Sequence, residues 1–370
     1  MEIDKIFFLL LDTIDMWQAI SVGLFLLIMN RRKRNSLLLL GFFLVTSGLG
    51  TLSEIFDFFS AYINNPYLHI LSINFLWLLP TLLYLYVERV SIEKARKASY
   101  LLLIPGGIDL LLNLGKFFLP LQEKNRLEES LAYGLFELTG VLFGLVLIML
   151  IFRKIRKHSK VIKNQYSSVE NRELKWLYIA IISIMFLLVF SGFAEFAFPG
   201  FLAELATSLM GLFITFWIAY NGLLQQSSVN LVNSDPIVTE KKVNAQKELS
   251  SPDKNDKQQA VVAEVRKLLE EEKLYLNAEL TVAHIAERIG EHPRTVSASI
   301  NGVCQENFNR FINRYRVEEA KNLLQSKNTA NLNMEGIGLE AGFNSNSSFY
   351  SAFKNELSVT PLQFLKNTNS

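Results

Sequence analysis

The sequence predicts an all-α protein in two parts: a polytopic bundle of seven membrane helices, then a cytosolic domain built from two helix-turn-helix units. Three observations predict it. Apolar runs near the ~20 residues needed to cross a bilayer recur through the first 225 positions. Basic residues gather in alternate loops between those runs. The last third turns polar and twice repeats a short helix, a tight turn and a second helix.

Half of the 370 residues are apolar, yet the net charge is only +2. Charge alone therefore points to neither nucleic acid nor an acidic substrate. Cys304 is the one cysteine, which excludes an intramolecular disulfide and a cysteine-rich metal site. With Ile300 and Val303 beside it, it reads as an ordinary packed thiol.

The expected spans are 7–29, 36–59, 68–87, 99–119, 131–152, 176–198 and 203–224. The first is a span and not a cleavable leader, because its basic cluster Arg31-Arg32-Lys33-Arg34 follows the apolar run. Pro80 and the Pro105-Gly106-Gly107 stretch predict kinks in the third and fourth spans. The loops after spans one, three and five read "RRKR", "ERVSIEKARK" and "RKIRKHSKVIKNQYSSVENRELK", whereas those after two, four and six are "AYINNPY", "LQEKNRLEES" and "PG". Positive residues stay on the cytoplasmic side, so the N-terminus is expected outside and the C-terminal region inside. The "RKIRKHSK" run reads as a topology signal in contact with anionic lipid, in preference to a nucleic-acid patch.

Charged groups within the spans are Asp12, Asp15, Glu54, Asp57, Asp109, Lys116, Glu137, Glu195 and Glu204. Most fall in the outer half of their spans, and all but Lys116 are acidic. Asp109, Asn113 and Lys116 follow an i, i+4, i+7 spacing that puts them on one helix face. Two readings stand. One is a pocket open to the outside for a cationic ligand, a metal ion or protons, with Asp109, Asn113, Lys116, Glu54, Asp57, Glu137 and Glu195 as candidate lining. The other is a set of carboxylates resting at the membrane–water boundary, where charge costs little. No His and carboxylate spacing supports a defined metal site, His69 alone is weak, and no cofactor-binding pattern is present. Nothing pairs a nucleophile with a base or forms a phosphate loop, so no enzyme is expected.

From 225 to 258 the chain is polar and carries Pro236 and Pro252, the composition of a flexible connector between domains at 1–224 and 259–370. Its root-mean-square reach is roughly 30–35 Å, too slack for a rod that pushes.

In the last domain, "AVVAEVRKLLEEEKLYL" opens with helical apolar spacing. Thr281 then caps a helix whose stripe is Val282, Ile285, Ala286 and Ile289, and Gly290 ends it. Pro293 suits the first turn of the next helix. There Val296, Ile300 and Val303 face inward, opposite Arg294, Ser297, Ala298 and Asn301. After the long amphipathic "NFNRFINRYRVEEAKNLLQS" the unit recurs, with Met334, Ile337 and Ala341 inward, Gly342 as the stop and Ser345 as the next cap. On the last major helix Phe349, Ala352 and Phe353 point to the core, while Ser347, Ser351 and Lys354 face away. Small polar side chains on an outer face let a helix settle deep in a major groove.

"RFINRYRVEEAKNLL", followed by "IGLEAGFNSNSSFYSAFK" and "TP", closely resembles the AraC-type DNA-binding domain. The resemblance covers roughly Ala260 to Lys366. It implies two helix-turn-helix units joined by a long helix, each with a second helix that reads double-stranded promoter DNA. Matched by motif, the first reader is Arg294, Thr295, Ser297, Ala298 and Asn301, and the second is Ser347, Ser348, Ser351 and Lys354. The membrane part resembles, in architecture alone, the seven-span sensors that Bacteroidetes-type bacteria fuse to this domain. That implies a multi-pass protein of the bacterial cytoplasmic membrane, a lipid bilayer and an unknown signal molecule as partners, and a homodimer on DNA.

The chain departs from the family pattern at three places. Gly338 stands where alanine is common, Gly336 lies in the same helix, and Ser358 replaces the usual glycine before "TP". The module is also not basic overall, since Glu270, Glu271, Glu272, Glu318 and Glu319 offset Arg310, Arg314 and Arg316. The expected function is a membrane-anchored, one-component transcription regulator. The rival is a transporter or channel with a cytosolic regulatory appendage, which draws on the intramembrane carboxylates.

Overall fold

The computed structural model describes residues 2–29, 35–62, 75–91, 96–116, 118–170, 172–197, 200–234, 253–326 and 333–368. The fold is all-α: fifteen α-helices and no named strand among the described residues. The chain divides into two compact units, one of residues 1–158 and 174–230, the other of 159–173 and 231–370.

The first unit holds α1 (Glu2–Met29), α2 (Asn35–Tyr62), α3 (Leu78–Val90), α4 (Leu103–Lys116), α5 (Leu121–Glu128), α7 (Lys175–Ala197), most of α8 (Gly200–Ser234) and α6 (Leu131–Gln165) as far as His158. Among the described residues, six stretches are long and apolar enough to cross a membrane: Phe7–Met29, Ser36–Ser53, Lys97–Lys116, Leu131–Gln165, Lys175–Phe193 and Gly200–Gln225. They match six of the seven expected spans. At the remaining one, 68–87, positions 68–74 lie outside the described residues, and α3 occupies the rest.

The described part of this expected span lies mostly in the thirteen-residue helix α3. Nearly every side chain from Thr81 to Val90 is buried, so this helix is enclosed on all sides and has no lipid-facing stripe. It shares one buried core with Leu40 and Leu44 of α2, Leu147 and Ile151 of α6, Leu177 and Ile181 of α7, and Ile214 and Ile218 of α8. Glu88, buried near the end of α3, is neutralised by Lys154 at 3.4 Å. The outward faces are the reverse: Leu111, Leu188 and Val189 are each at least two-thirds exposed, as lipid-facing side chains must be.

Two expectations are revised. Pro80 and Pro105 fall in the first turns of α3 and α4, where a missing N–H costs nothing, so they start helices instead of kinking them. A 3-10 turn over Lys97–Leu102 leads into α4. "LQEKNRLE", expected as loop, forms α5.

α1 and α2 approach closely through glycine. A Cβ on Gly23 would lie 2.8 Å from the Gly41 carbonyl oxygen and 2.9 Å from the Val45 backbone nitrogen. Without a hydrophobic drive between helices in lipid, such backbone proximity is what holds a pair together. Gly134 on α6 has nothing within 4 Å of the same position. Gly23→Ile is therefore expected to destabilise the fold by about 1–3 kcal/mol through overpacking. Fluorescence-detected size exclusion after heating should show a lower midpoint for that variant and no shift for Gly134→Ala.

Candidate nucleic-acid interface

The second unit builds two small cores on a shared long helix, α12 (Phe308–Gln325). The first core takes α9 (Asp253–Glu272), α10 (Val282–Arg288) and α11 (Pro293–Cys304), with Val265, Ile285, Val296, Ile300 and Phe311 fully buried. The second takes α13 (Met334–Glu340), α14 (Asn346–Leu357) and α15 (Pro361–Thr368), centred on Phe349 and Phe353.

The local chemistry follows the sequence closely. Thr281 caps α10 by accepting from His284 N–H at 3.3 Å, while His284 Nδ1 accepts from Thr281 N–H, closing a reciprocal capping box. Gly290 follows α10 with φ +68°, and Pro293 opens α11. Asn333 caps α13 through Gly336 N–H at 2.7 Å, and Ser345 caps α14 through Ser348 N–H at 3.2 Å. Gly342 is required twice over: its φ is +91°, and a Cβ there would stand 2.5 Å from the Tyr275 carbonyl oxygen. Gly338 has a packing reason that the sequence did not reveal. A Cβ at this position would lie 3.0 Å from the Phe349 ring, so the glycine seats that ring against α13.

The first candidate reader, α11, exposes Arg294 and Ala298, with Thr295, Ser297 and Asn301 half-buried on the same helix. Asn301 Nδ2 donates to the Ser297 carbonyl at 2.7 Å. On α14, Ser347, Ser351 and Lys354 are exposed. Ser348 is half-buried and serves the cap, donating to the Ser345 carbonyl at 2.9 Å. The hydroxyls and cations proposed from the sequence thus occur on two helices of corresponding position in two repeated units. Positive charge on α12 is held locally: Arg314 lies 3.2 Å and Arg310 3.8 Å from Glu306. Burial pushes the Glu306 carboxyl up, and Arg314 offsets part of that rise.

Sequence reasoning missed Arg316. Counted there with the basic residues, it is almost wholly buried. Its Nε donates to the Tyr275 carbonyl at 2.7 Å, and Nη2 donates to the Asn277 carbonyl at 2.8 Å and to Ser167 Oγ at 2.9 Å. Burial lowers its pKa to about 10. A basic residue inside an otherwise amphipathic helix gives no one-dimensional sign of this.

Residues 285–367 match the family model for a helix-turn-helix domain. The segment is thus similar to a helix-turn-helix domain, in keeping with the AraC-type resemblance of its sequence. Comparisons with curated proteins and with solved structures gave no match. The matched stretch contains both candidate reader helices, α11 and α14, and the long helix α12 between them.

The membrane-domain candidates are partly brought together. Asp109, Asn113 and Lys116 are all buried on one face of α4, as their spacing predicts. Asn113 Nδ2 donates to Asp109 Oδ1 at 3.1 Å. Lys116 Nζ donates to Glu128 Oε1 at 3.2 Å and to Tyr133 Oη at 2.9 Å, and sits over the Tyr133 ring. Glu137 lies one turn beyond Tyr133 on α6. The side chains of Glu54, Asp57 and Glu195 lie outside the described residues. Asp12 accepts from Ser208 at 3.0 Å, a separate pairing between α1 and α8. Among the described residues, no group of His, Cys, Asp or Glu is placed to hold a metal ion.

Ser358 ends α14 in the left-handed region, with φ +61°. This is the position where the family pattern carries glycine, and a side chain there is strained. Ser358→Gly is expected to stabilise the domain by about 0.5–1 kcal/mol. Hydrogen exchange on the full-length protein should then slow at the amides of α14 and α15.

Proposed function

We propose that this chain is a membrane-anchored, one-component transcription regulator. The observation that carries the reading is a match to a helix-turn-helix domain at 285–367 in a chain that has, among its described residues, six helices long and apolar enough to cross a membrane. The DNA-binding domain supplies the output, since such domains place a recognition helix in the major groove. The membrane region, residues 1–224 in seven spans, supplies the input. The stretch 225–258 connects the two, and the module at 259–370 acts in the bacterial cytoplasm, with the N-terminus on the opposite side of the membrane.

Within this reading the first reader uses Arg294, Thr295, Ser297, Ala298 and Asn301, and the second uses Ser347, Ser348, Ser351 and Lys354. An arginine or long amide gives the strongest base readout, and on α14 the outer face is mainly hydroxyl. Its sequence preference is therefore broad. Discrete promoter recognition comes from two copies of the chain on repeated sites. The polar face of α4 with Asp109, Asn113 and Lys116 is the place where a signal molecule would meet the membrane domain.

Chromatin crosslinking of the full-length protein should give discrete promoter peaks that disappear in the Arg294→Ala, Ser351→Ala double variant. Retention of the same peaks in that variant would rule out these readers. Separately, a C-terminal reporter that is active only in the cytoplasm should be active when fused after Ser370. An inactive reporter would remove the proposed topology and the proposed function with it.

A further inference from the structure

The DNA-reading face has a second occupant within the chain itself. Residues 159–173 join α6 to α7, yet they belong to the same compact unit as the helix-turn-helix domain. Asn164 and Glu170, six residues apart on this segment, touch the two reader helices in turn. The Asn164 carbonyl accepts from Ser297 Oγ of α11 at 3.1 Å, and its side-chain oxygen lies 3.5 Å from Asn301 Nδ2, at the edge of hydrogen-bond range. The Glu170 carboxylate accepts from Ser347 Oγ at 2.6 Å and from Ser345 Oγ at the N-terminus of α14.

Three further ties fix the segment. Tyr166 forms an antiparallel bridge with Thr281, and Ser167 N–H donates to the Leu280 carbonyl at 3.0 Å. The Ser167 carbonyl accepts from Asn309 at 2.5 Å, and its hydroxyl accepts from the buried Arg316. Arg172 pairs with Glu279 at 2.5 Å. Tyr166, Ser167 and Arg172 are all buried as a result.

From this arrangement we infer that the 159–173 segment is an intramolecular competitor of DNA, and that the described state is closed. The argument rests on the proposed DNA-binding function and on the chemistry of the donors. A helix N-terminus with free hydroxyls is a ready anion site, and in a reader helix the anion it meets is a backbone phosphate. Here the Glu170 carboxylate takes that place. The same Ser347 hydroxyl cannot serve carboxylate and phosphate together, and two negative groups at one helix end repel. The Ser297 hydroxyl is similarly committed to the Asn164 carbonyl. DNA binding therefore requires the segment to leave. Because the segment begins in the last turns of α6 and ends just before α7, a signal that shifts these helices against each other acts directly on the lock.

The test uses the full-length protein in lipid nanodiscs and a random-sequence library of DNA duplexes. Tyr166 and Thr281 are an ideal pair to staple: the Ser167 to Leu280 hydrogen bond marks them as a non-hydrogen-bonded antiparallel pair, with Cα atoms about 4.5 Å apart, within disulfide range. The Tyr166→Cys, Thr281→Cys variant leaves every proposed reader intact, and Tyr166→Cys alone controls for bridging to Cys304. Oxidised, the staple is expected to abolish DNA retention, and reducing agent restores it. Glu170→Ala, which needs no staple, is expected to raise retention roughly tenfold over wild type, from the loss of hydrogen bonds to a charged group. Equal retention by the oxidised, reduced and Glu170→Ala proteins would overturn the competitor while leaving DNA binding intact. No retention by any of them would overturn the DNA-binding function, and the competitor with it.

Discussion

Burying a guanidinium is costly unless each N–H finds an oxygen, and Arg316 meets that condition by drawing acceptors from separate stretches of chain. Tyr275 and Asn277 supply carbonyls from the turn before α10, Asn313 supplies an amide oxygen from the same helix, and Ser167 supplies a carbonyl and a hydroxyl from the turn after α6. The cation also lies 5.8 Å from the centre of the Phe343 ring, which belongs to the second core. One side chain on α12 therefore sets the position of both helix-turn-helix units and of the segment against them. The requirement is strict because a single missing acceptor would leave part of a buried charge unsatisfied.

The membrane unit depends on a different constraint. Its centre is a short helix enclosed on all sides, and its periphery is apolar and outward-facing. α1 and α2 hold together by backbone proximity at Gly23, Gly41 and Gly48. Several of the polar groups it contains are paired, as with Glu88 and Lys154 or Asp12 and Ser208, whereas Asp15 Oδ1, Gln18 Nε2 and Trp77 Nε1 are buried without a hydrogen-bond partner. Each pair made inside the bundle removes a polar group from a medium that offers no hydrogen bonds.

Much of this was legible in one dimension, and the exceptions have physical reasons. Long apolar runs marked α1, α2, α4 and α6 to α8, because crossing lipid requires length and hydrophobicity together. Caps and stops in the last domain were readable at Thr281, Gly290, Pro293, Gly342 and Ser345, since each uses a residue type suited to its backbone. Hydropathy stops at the first charged residue, whereas α6 continues through "RKIRKHSK" to Gln165, because lysine and arginine are good helix formers. The reason for Gly338 was hidden because it lies in Phe349, eleven positions along the chain. The roles of Asn164, Glu170 and Arg316 were hidden for the same reason: each makes its decisive contacts across well over thirty positions of sequence.

The shared hydroxyls at Ser297 and Ser347 place an unusual burden on how this chain can change over generations. Under the proposed function and the proposed lock, a substitution at Ser297 or Ser347 that suits a new promoter also alters the fit to the 159–173 segment, so it shifts resting activity at the same moment as target choice. Drift in one surface must be matched by drift in the other. On that reading, in a lineage that acquires new operators, position 170, whose side chain makes the contact, should vary together with α14, although it lies more than a hundred residues away in sequence.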